Sequence, residues 1–244
     1  MSRPVPSGLA VDVWWFDTRQ ARPEPAELAA LSAEEQARAA ALVFAADRHR
    51  YRTAHVMLRR VLAGYLDAEP GCLRFARQPC PRCGGPDGRP VLAPAAAAAA
   101  PPPWFSLAHS GDAVVIAVAG RPVGVDAEQE PAGCVCSLAG TMHPADAAAV
   151  AGLAEPDRHA AVIRWWVRAE AVLKCAGEGI AHRLGSFPVL PDGALAAAAG
   201  PGPAGAPSCT LGPVPCPPAY QAAVALAGQD GSPAVTLVTE GTKE

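Results

Sequence analysis

Trp104 to Glu128, WFSLAHSGDAVVIAVAGRPVGVDAE, is the stretch on which the reading of this chain turns. Its middle, Ala113 to Ala119, is an unbroken apolar run of strand length, as expected of a strand buried on both faces. Gly120-Arg121-Pro122 turns the chain, and Val123 to Glu128 is expected to be its hairpin partner. Successive strand residues alternate faces, so Asp126 and Glu128 point the same way. Further along, WVRAEAVLK (Trp166 to Lys174) sets Glu170 and Lys174 at i, i+4 on a helix, with Trp166 one turn earlier on that face.

If Asp126, Glu128 and Glu170 converge, each pair at about 4–5 Å costs about 4 kcal/mol at an effective dielectric of about 20. A divalent cation removes that penalty. Oxygen-only ligation favours Mg²⁺, with Mn²⁺ as the alternative. Each signal also has an ordinary structural reading: DxE as a solvated strand edge, Glu170–Lys174 as a surface ion pair, His109 as a turn residue.

Half of the 244 residues are apolar, so the chain can bury a sizeable core despite 27 Pro and 23 Gly. A net charge of −3 leaves no electrostatic case for long nucleic acid. The opening residues lack an apolar segment with a small-residue cleavage site, and no apolar run is long enough for a membrane span. Eight cysteines without an export signal read as reduced thiols in a cytoplasm. Cys80 and Cys83 form a CxxC, half of a zinc site, but no second pair follows at suitable spacing, so they read as loop thiols.

Residues 10–17 alternate as a strand. Ser32 and Glu35 form a capping box that opens a helix ending near Leu42 to Phe44, and a second helix runs from Asp47 to about Leu66. Arg48, Arg50, Arg52, Arg59 and Arg60 line the polar side of that helix, either as a solvated basic face or as an anion site. Residues 78–92 read as a turn-rich loop and 92–103 as a connector between halves, 1–103 and 104–244. In the second half, helices are expected over Asp146 to Leu153 and Pro156 to Ala176, the latter stopped by Gly177. A strand is expected over Phe187 to Leu190, a mobile stretch over 191–218, and a closing hairpin from Tyr220 to Ala227 and Ala234 to Thr239.

Taken in order, His109-Ser110-Gly111, Gly124-Val125-Asp126-Ala127-Glu128 and Trp166 through Gly179 resemble the Sfp-type 4′-phosphopantetheinyl transferases. Arg50 to Arg59 fits the N-terminal half of that family, and Gly88-Arg89-Pro90 stands where the family often has GKP. The resemblance covers nearly the whole chain and implies an α/β (α+β) pseudo-dimer, each half a small antiparallel sheet against a long helix, with the active site between halves. It further implies transfer of phosphopantetheine from coenzyme A to a serine of an apo acyl or peptidyl carrier protein, serving polyketide, fatty-acid or peptide synthesis. Adenosine 3′,5′-bisphosphate would leave.

By the same resemblance, Asp126, Glu128 and Glu170 hold Mg²⁺ against the pyrophosphate and Lys174 neutralises the leaving phosphate. Arg50, Arg89 and His109 grip the 3′-phosphate, with Pro90 and Ser110 beside them. The serine proton has two candidate acceptors, Glu170 and a water on the metal. The chain departs from the family at Ala169, where Lys is common, and at Ala108, where Ser is frequent. Arg164 or Arg168 is available to supply the phosphate grip that a lysine at 169 would give. A monomer is expected, since the halves supply each other's partner. The rivals are a degenerate module that binds coenzyme A or a carrier without turnover, and a regulatory metal-binding protein built on Cys80 and Cys83.

Overall fold

Strand β5 (Ala113–Ala119) is buried at every position and divides its side chains between two cores. Val114, Ile116 and Val118 face one side, and Val115, Ala117 and Ala119 the other. The computed structural model describes residues 3–86, 88–93, 102–130, 135, 138, 140–178, 184–190, 208–228 and 231–238. Outside these lie most of the expected connector, Cys134, Cys136, Gly179, the 191–207 part of the stretch read as mobile, and the last residues.

A four-stranded sheet has the order β4 (Trp104–Ser110), β5, β1 (Ala10–Asp17), β9 (Ala234–Val238). A three-stranded sheet has the order β6 (Val123–Gln129), β8 (Tyr220–Ala227), β7 (Cys209–Pro213). Strands β2 (Phe75–Arg77) and β3 (Pro90–Leu92) make a separate antiparallel pair, with β3 inside the stretch read as loop and β2 just before it. Helix α3 (Ala45–Leu66) covers one face of the larger sheet through Met57, Val61 and Leu62. The opposite face meets the smaller sheet through Val11, Val13, Val123, Val125, Val224 and Leu226. Helix α5 (Glu155–Ala176) closes the other side, its Trp165 and Val172 packed with Ala223, Ala225 and Ala227 of β8. The layers therefore run helix, sheet, sheet, helix, a mixed α+β architecture of the kind expected.

Several sequence expectations need correction. β5 and β6 are not hairpin partners: β6 pairs with β8, and β5 with β4 and β1. Val123, Val125 and Ala127 give β6 an apolar face of its own, which it buries against the larger sheet from the next layer. β8 and β9 are likewise in different sheets, and β9 runs parallel to β1, so the larger sheet is mixed rather than antiparallel. Cys209–Pro213 is a strand, although it falls in the stretch read as mobile. Phe187 to Leu190 is irregular instead of extended pairing; buried Asp146 in α4 (Pro144–Ala151) accepts the amides of Val189 and Leu190. The strand pairing also crosses residue 103, since β1 is hydrogen-bonded to β5 and β9.

The basic side of α3 divides. Arg59 is only 2% exposed and pairs with Glu35 of α2 (Ala33–Ala41) at 2.7 Å, while also donating to the carbonyls of Pro70 and Leu73. Arg60 pairs with Glu27 of α1 (Pro25–Ala29). Burial by itself would raise the Glu35 carboxyl, but His55, Arg59 and the Ser32 amide, which donates to it in the capping box, together hold it down at about 2. Its stabilising contribution is thus complete above the ordinary carboxylate range and disappears as pH falls from about 4.5 towards 2. Glu35→Gln leaves Arg59 buried without its counter-charge and should cost about 3 kcal/mol in urea unfolding at pH 7. The part-exposed pair should respond differently, with Glu27→Gln costing less than about 1 kcal/mol.

Candidate active site

The alternation of β6 decides where its acids go. Val123, Val125 and Ala127 face the larger sheet, so Gly124, Asp126 and Glu128 face α5. At Gly124 strand and helix touch: a Cβ there would overlap the Ala171 carbonyl and the Cys175 amide of α5. That close approach brings Asp126 against Lys174, whose Nζ lies 2.7 Å from Asp126 Oδ1 and 3.2 Å from the Val125 carbonyl.

Glu170 stands one turn before Lys174 and is 2% exposed. Desolvation first, then the charges of Asp126 and Glu128, push its pKa up to about 7 against the pull of Lys174. Burial likewise raises Asp126 to about 6, with Lys174 opposing and Glu128 adding to the rise. The three carboxylates therefore interact with one another, and a single ammonium faces them. Asp126 Oδ2 and Glu170 Oε1 are buried with no hydrogen-bond partner. Unsatisfied buried carboxylate oxygens are costly, and a hard cation with oxygen preference fits this donor set. Among the described residues, however, no three His, Cys, Asp or Glu side chains stand as a ready-made metal cage. Lys174 occupies one oxygen of Asp126, and Ser110 Oγ donates to Glu128 Oε2.

Ser110 is one of two hydroxyls that join β4 to β6 without a backbone ladder. Its Oγ accepts the Gln129 amide at 3.1 Å, and Ser106 Oγ accepts the Val125 amide at 3.0 Å. Sequence reading missed Ser106; its only signal was a lone hydroxyl in an apolar strand, two places from Ala108. His109 points to the opposite face of β4. Its ring is open to solvent in area yet hemmed by protein, and the hemming is the better guide to its charge. Desolvation first, then the charges of Lys174 and His55, lower its pKa, with Glu128 opposing. Arg50 pairs with Asp112 at 3.0 Å, in the turn just after Ser110, and with Asp47 at 3.2 Å.

Arg89 is not with that group. Its guanidinium lies 5.1 Å over the Trp104 ring and against Gly177, which caps α5 in the left-handed conformation. Trp104 and His109 are five residues apart on β4, roughly 16 Å at about 3.3 Å per residue. Arg89 Nε and Nη1 are buried and unpartnered, and desolvation lowers its pKa. Pro90 follows in β3, opposite Arg77. Arg168 donates through Nη1 to the carbonyls of Val189 and Leu190. Ala169 and Ala108 both lie in apolar cores, which explains their small side chains here. Cys80 is buried and Cys83 exposed, and neither is in a disulfide.

Gly124→Ala should lower the unfolding free energy by about 1–3 kcal/mol in urea titration, because α5 must back away from β6. The same retreat should separate Glu170 and Lys174 from Asp126.

A family model described as 4′-phosphopantetheinyl transferase superfamily matches residues 122–214, which span β6, α5 and β7. The 4′-phosphopantetheinyl transferase HetI of Nostoc sp. is 31% identical over 175 residues, covering 70% of each chain. A putative 4′-phosphopantetheinyl transferase of Synechocystis sp. is 32% identical over 175 residues, 70% of this chain and 66% of its own. The 4′-phosphopantetheinyl transferase of Bacillus subtilis is 25% identical over 177 residues, 68% of this chain and 74% of its own. With the acids of β6 and α5 and the motifs that carry them inside the matched region, the chain belongs to the 4′-phosphopantetheinyl transferase superfamily.

Proposed function

We propose that this enzyme is of the Sfp type and moves 4′-phosphopantetheine from coenzyme A to a serine of an apo acyl or peptidyl carrier protein, with Mg²⁺. One observation carries the reading: Asp126, paired with Lys174, and Glu170, one turn before it on α5, each leave a buried carboxylate oxygen unpaired. Asp126, Glu128 and Glu170 are the residues that would hold Mg²⁺. Bound there, the ion would supply charge neutralisation to the diphosphate of coenzyme A.

The chain's own groups do the rest. The serine oxygen bonds to the phosphorus that carries pantetheine, and the bridging oxygen leaves with adenosine 3′,5′-bisphosphate. Glu170, whose buried Oε1 has no partner, is the group proposed to take the serine proton. Lys174 offsets the charge that grows on the departing phosphate. Ser110 holds Glu128 in place, and His109 and Arg50 would serve the nucleotide. Arg89, over Trp104, offers unpaired donors at the other end of β4 and therefore suits a different part of the substrate than His109 does.

Two subdomains, 1–103 and 104–244, are proposed, each with its own 22-residue helix, while the larger sheet draws strands from both sides of residue 103. A monomer in the cytoplasm fits this reading. No described helix is long and apolar enough to cross a membrane. The binding-only alternative is favoured by one feature, Ala169.

Incubation with an apo carrier protein, coenzyme A and Mg²⁺ should add one phosphopantetheine to the carrier by intact mass. No adduct with any of several carriers would favour binding without turnover. Asp126→Ala should reduce transfer at least about a thousandfold, the scale on which electrostatic stabilisation acts; a near-normal rate refutes its role. In EDTA at pH 8, Glu170→Gln should raise Tm, because it removes a buried carboxylate facing two others. Adding Mg²⁺ should raise the Tm of the unaltered protein and leave that of Glu170→Gln nearly unchanged.

A further inference from the structure

A cavity of about 340 Å³ opens between α1 and the first half of α3, on the face of α3 turned away from Tyr51 and His55. Its walls include Arg22, Arg48, His49 and Arg52, with no carboxylate among them, and Leu28 forms part of an apolar side. Arg48 donates through Nη1 to the carbonyls of Leu42 and Val43, and Arg22 through Nη1 to those of Arg19 and Ala21. Both keep Nε and Nη2 in reserve. Arg52 makes no hydrogen bond or ion pair among the described residues. Asp47, the acid in the first turn of α3, turns away to Arg50.

Thr53 adds an independent sign. It lines the cavity and is fully buried, yet its hydroxyl has no partner. A threonine in mid-helix ordinarily satisfies its hydroxyl on the carbonyl four residues back. The first turn of α3 also begins at this cavity with no side-chain cap from Phe44, so the helix adds its partial positive charge there.

We propose that this cavity is a second anion site, built for the phosphate of a small phosphate monoester. Arg52 and the free edges of Arg48 and Arg22 would bind the phosphate oxygens, the Thr53 hydroxyl would donate to one of them, and the organic part would lie on the apolar side by Leu28. A phosphate alone would leave much of the volume unfilled, which is why an ester fits better. The inference stands apart from the transferase reading: none of these side chains touches Asp126, Glu170 or Lys174.

Calorimetric titration of the full chain with inorganic phosphate and with phenyl phosphate tests it, alongside Arg52→Glu, Thr53→Val and, as a distant control on the exposed start of α5, Arg158→Gln, each checked for folding by its thermal melt. Phosphate should bind the unaltered protein, at least tenfold more weakly to Arg52→Glu, severalfold more weakly to Thr53→Val, and within twofold of normal to Arg158→Gln. Phenyl phosphate should bind more tightly than inorganic phosphate. The proposal is overturned if phosphate does not bind, if Arg52→Glu and Thr53→Val bind it as well as the unaltered protein, or if Arg158→Gln alone abolishes binding. A higher Tm for Thr53→Val with unchanged phosphate affinity removes the hydroxyl from the site. Phenyl phosphate binding no better than phosphate rejects an ester.

Discussion

Strand β6 must satisfy two neighbours at once, and the rest of the molecule is arranged around that requirement. One of its faces, Val123, Val125 and Ala127, is apolar and closes the core between the two sheets. The other, Gly124, Asp126 and Glu128, has no side chain where α5 presses closest and acids beyond that point. Gly124 sets the spacing between strand and helix. The alanines of β8 that pair with β6 continue the same small-residue surface under Trp165 and Val172, so a bulky helix can approach a thin sheet.

That approach has an energetic consequence. Glu170 and Asp126 are buried where their charges repel, and Lys174 answers only part of the negative charge. Folding forces worked against full ionisation here, as is common where a site must later receive positive charge. Stability is recovered elsewhere, in the two apolar layers of β5 and in the Glu35–Arg59 pair that fastens α2 to α3. The seam between sheets is held by Ser106 and Ser110, whose hydroxyls accept amides that a ladder would otherwise bind. Ser110 thereby links the strand of one sheet to Glu128 of the other.

The arginines show how little charge alone says about role. Arg59 is an internal clamp, Arg60 ties down α1, Arg168 fixes the segment after α5, and Arg50 is braced by two aspartates. Arg89 and Arg52 differ: one has buried unpaired donors beneath Trp104, the other reaches into a cavity without carboxylates. Donors in those situations have unused hydrogen-bonding capacity, and it is there that anions are to be sought.

Local signals in the sequence were enough for the elements with strong periodicity or caps: the Ser32 box, α3, α5 with its Gly177 stop, the buried run of β5, and the shared face of Asp126 and Glu128. These depend on chemistry within a few residues, so they are written in the order of the chain. Which strand pairs with which was not legible, because the apolar faces of β5, β6, β8 and β9 suit several partners equally well. Packing chose among them, sending β6 to β8 and β9 to β1. Likewise, five arginines on one helix look alike in sequence. Only the tertiary structure, by placing a carboxylate, a carbonyl or open space before each guanidinium, separated the braces from the groups free to bind.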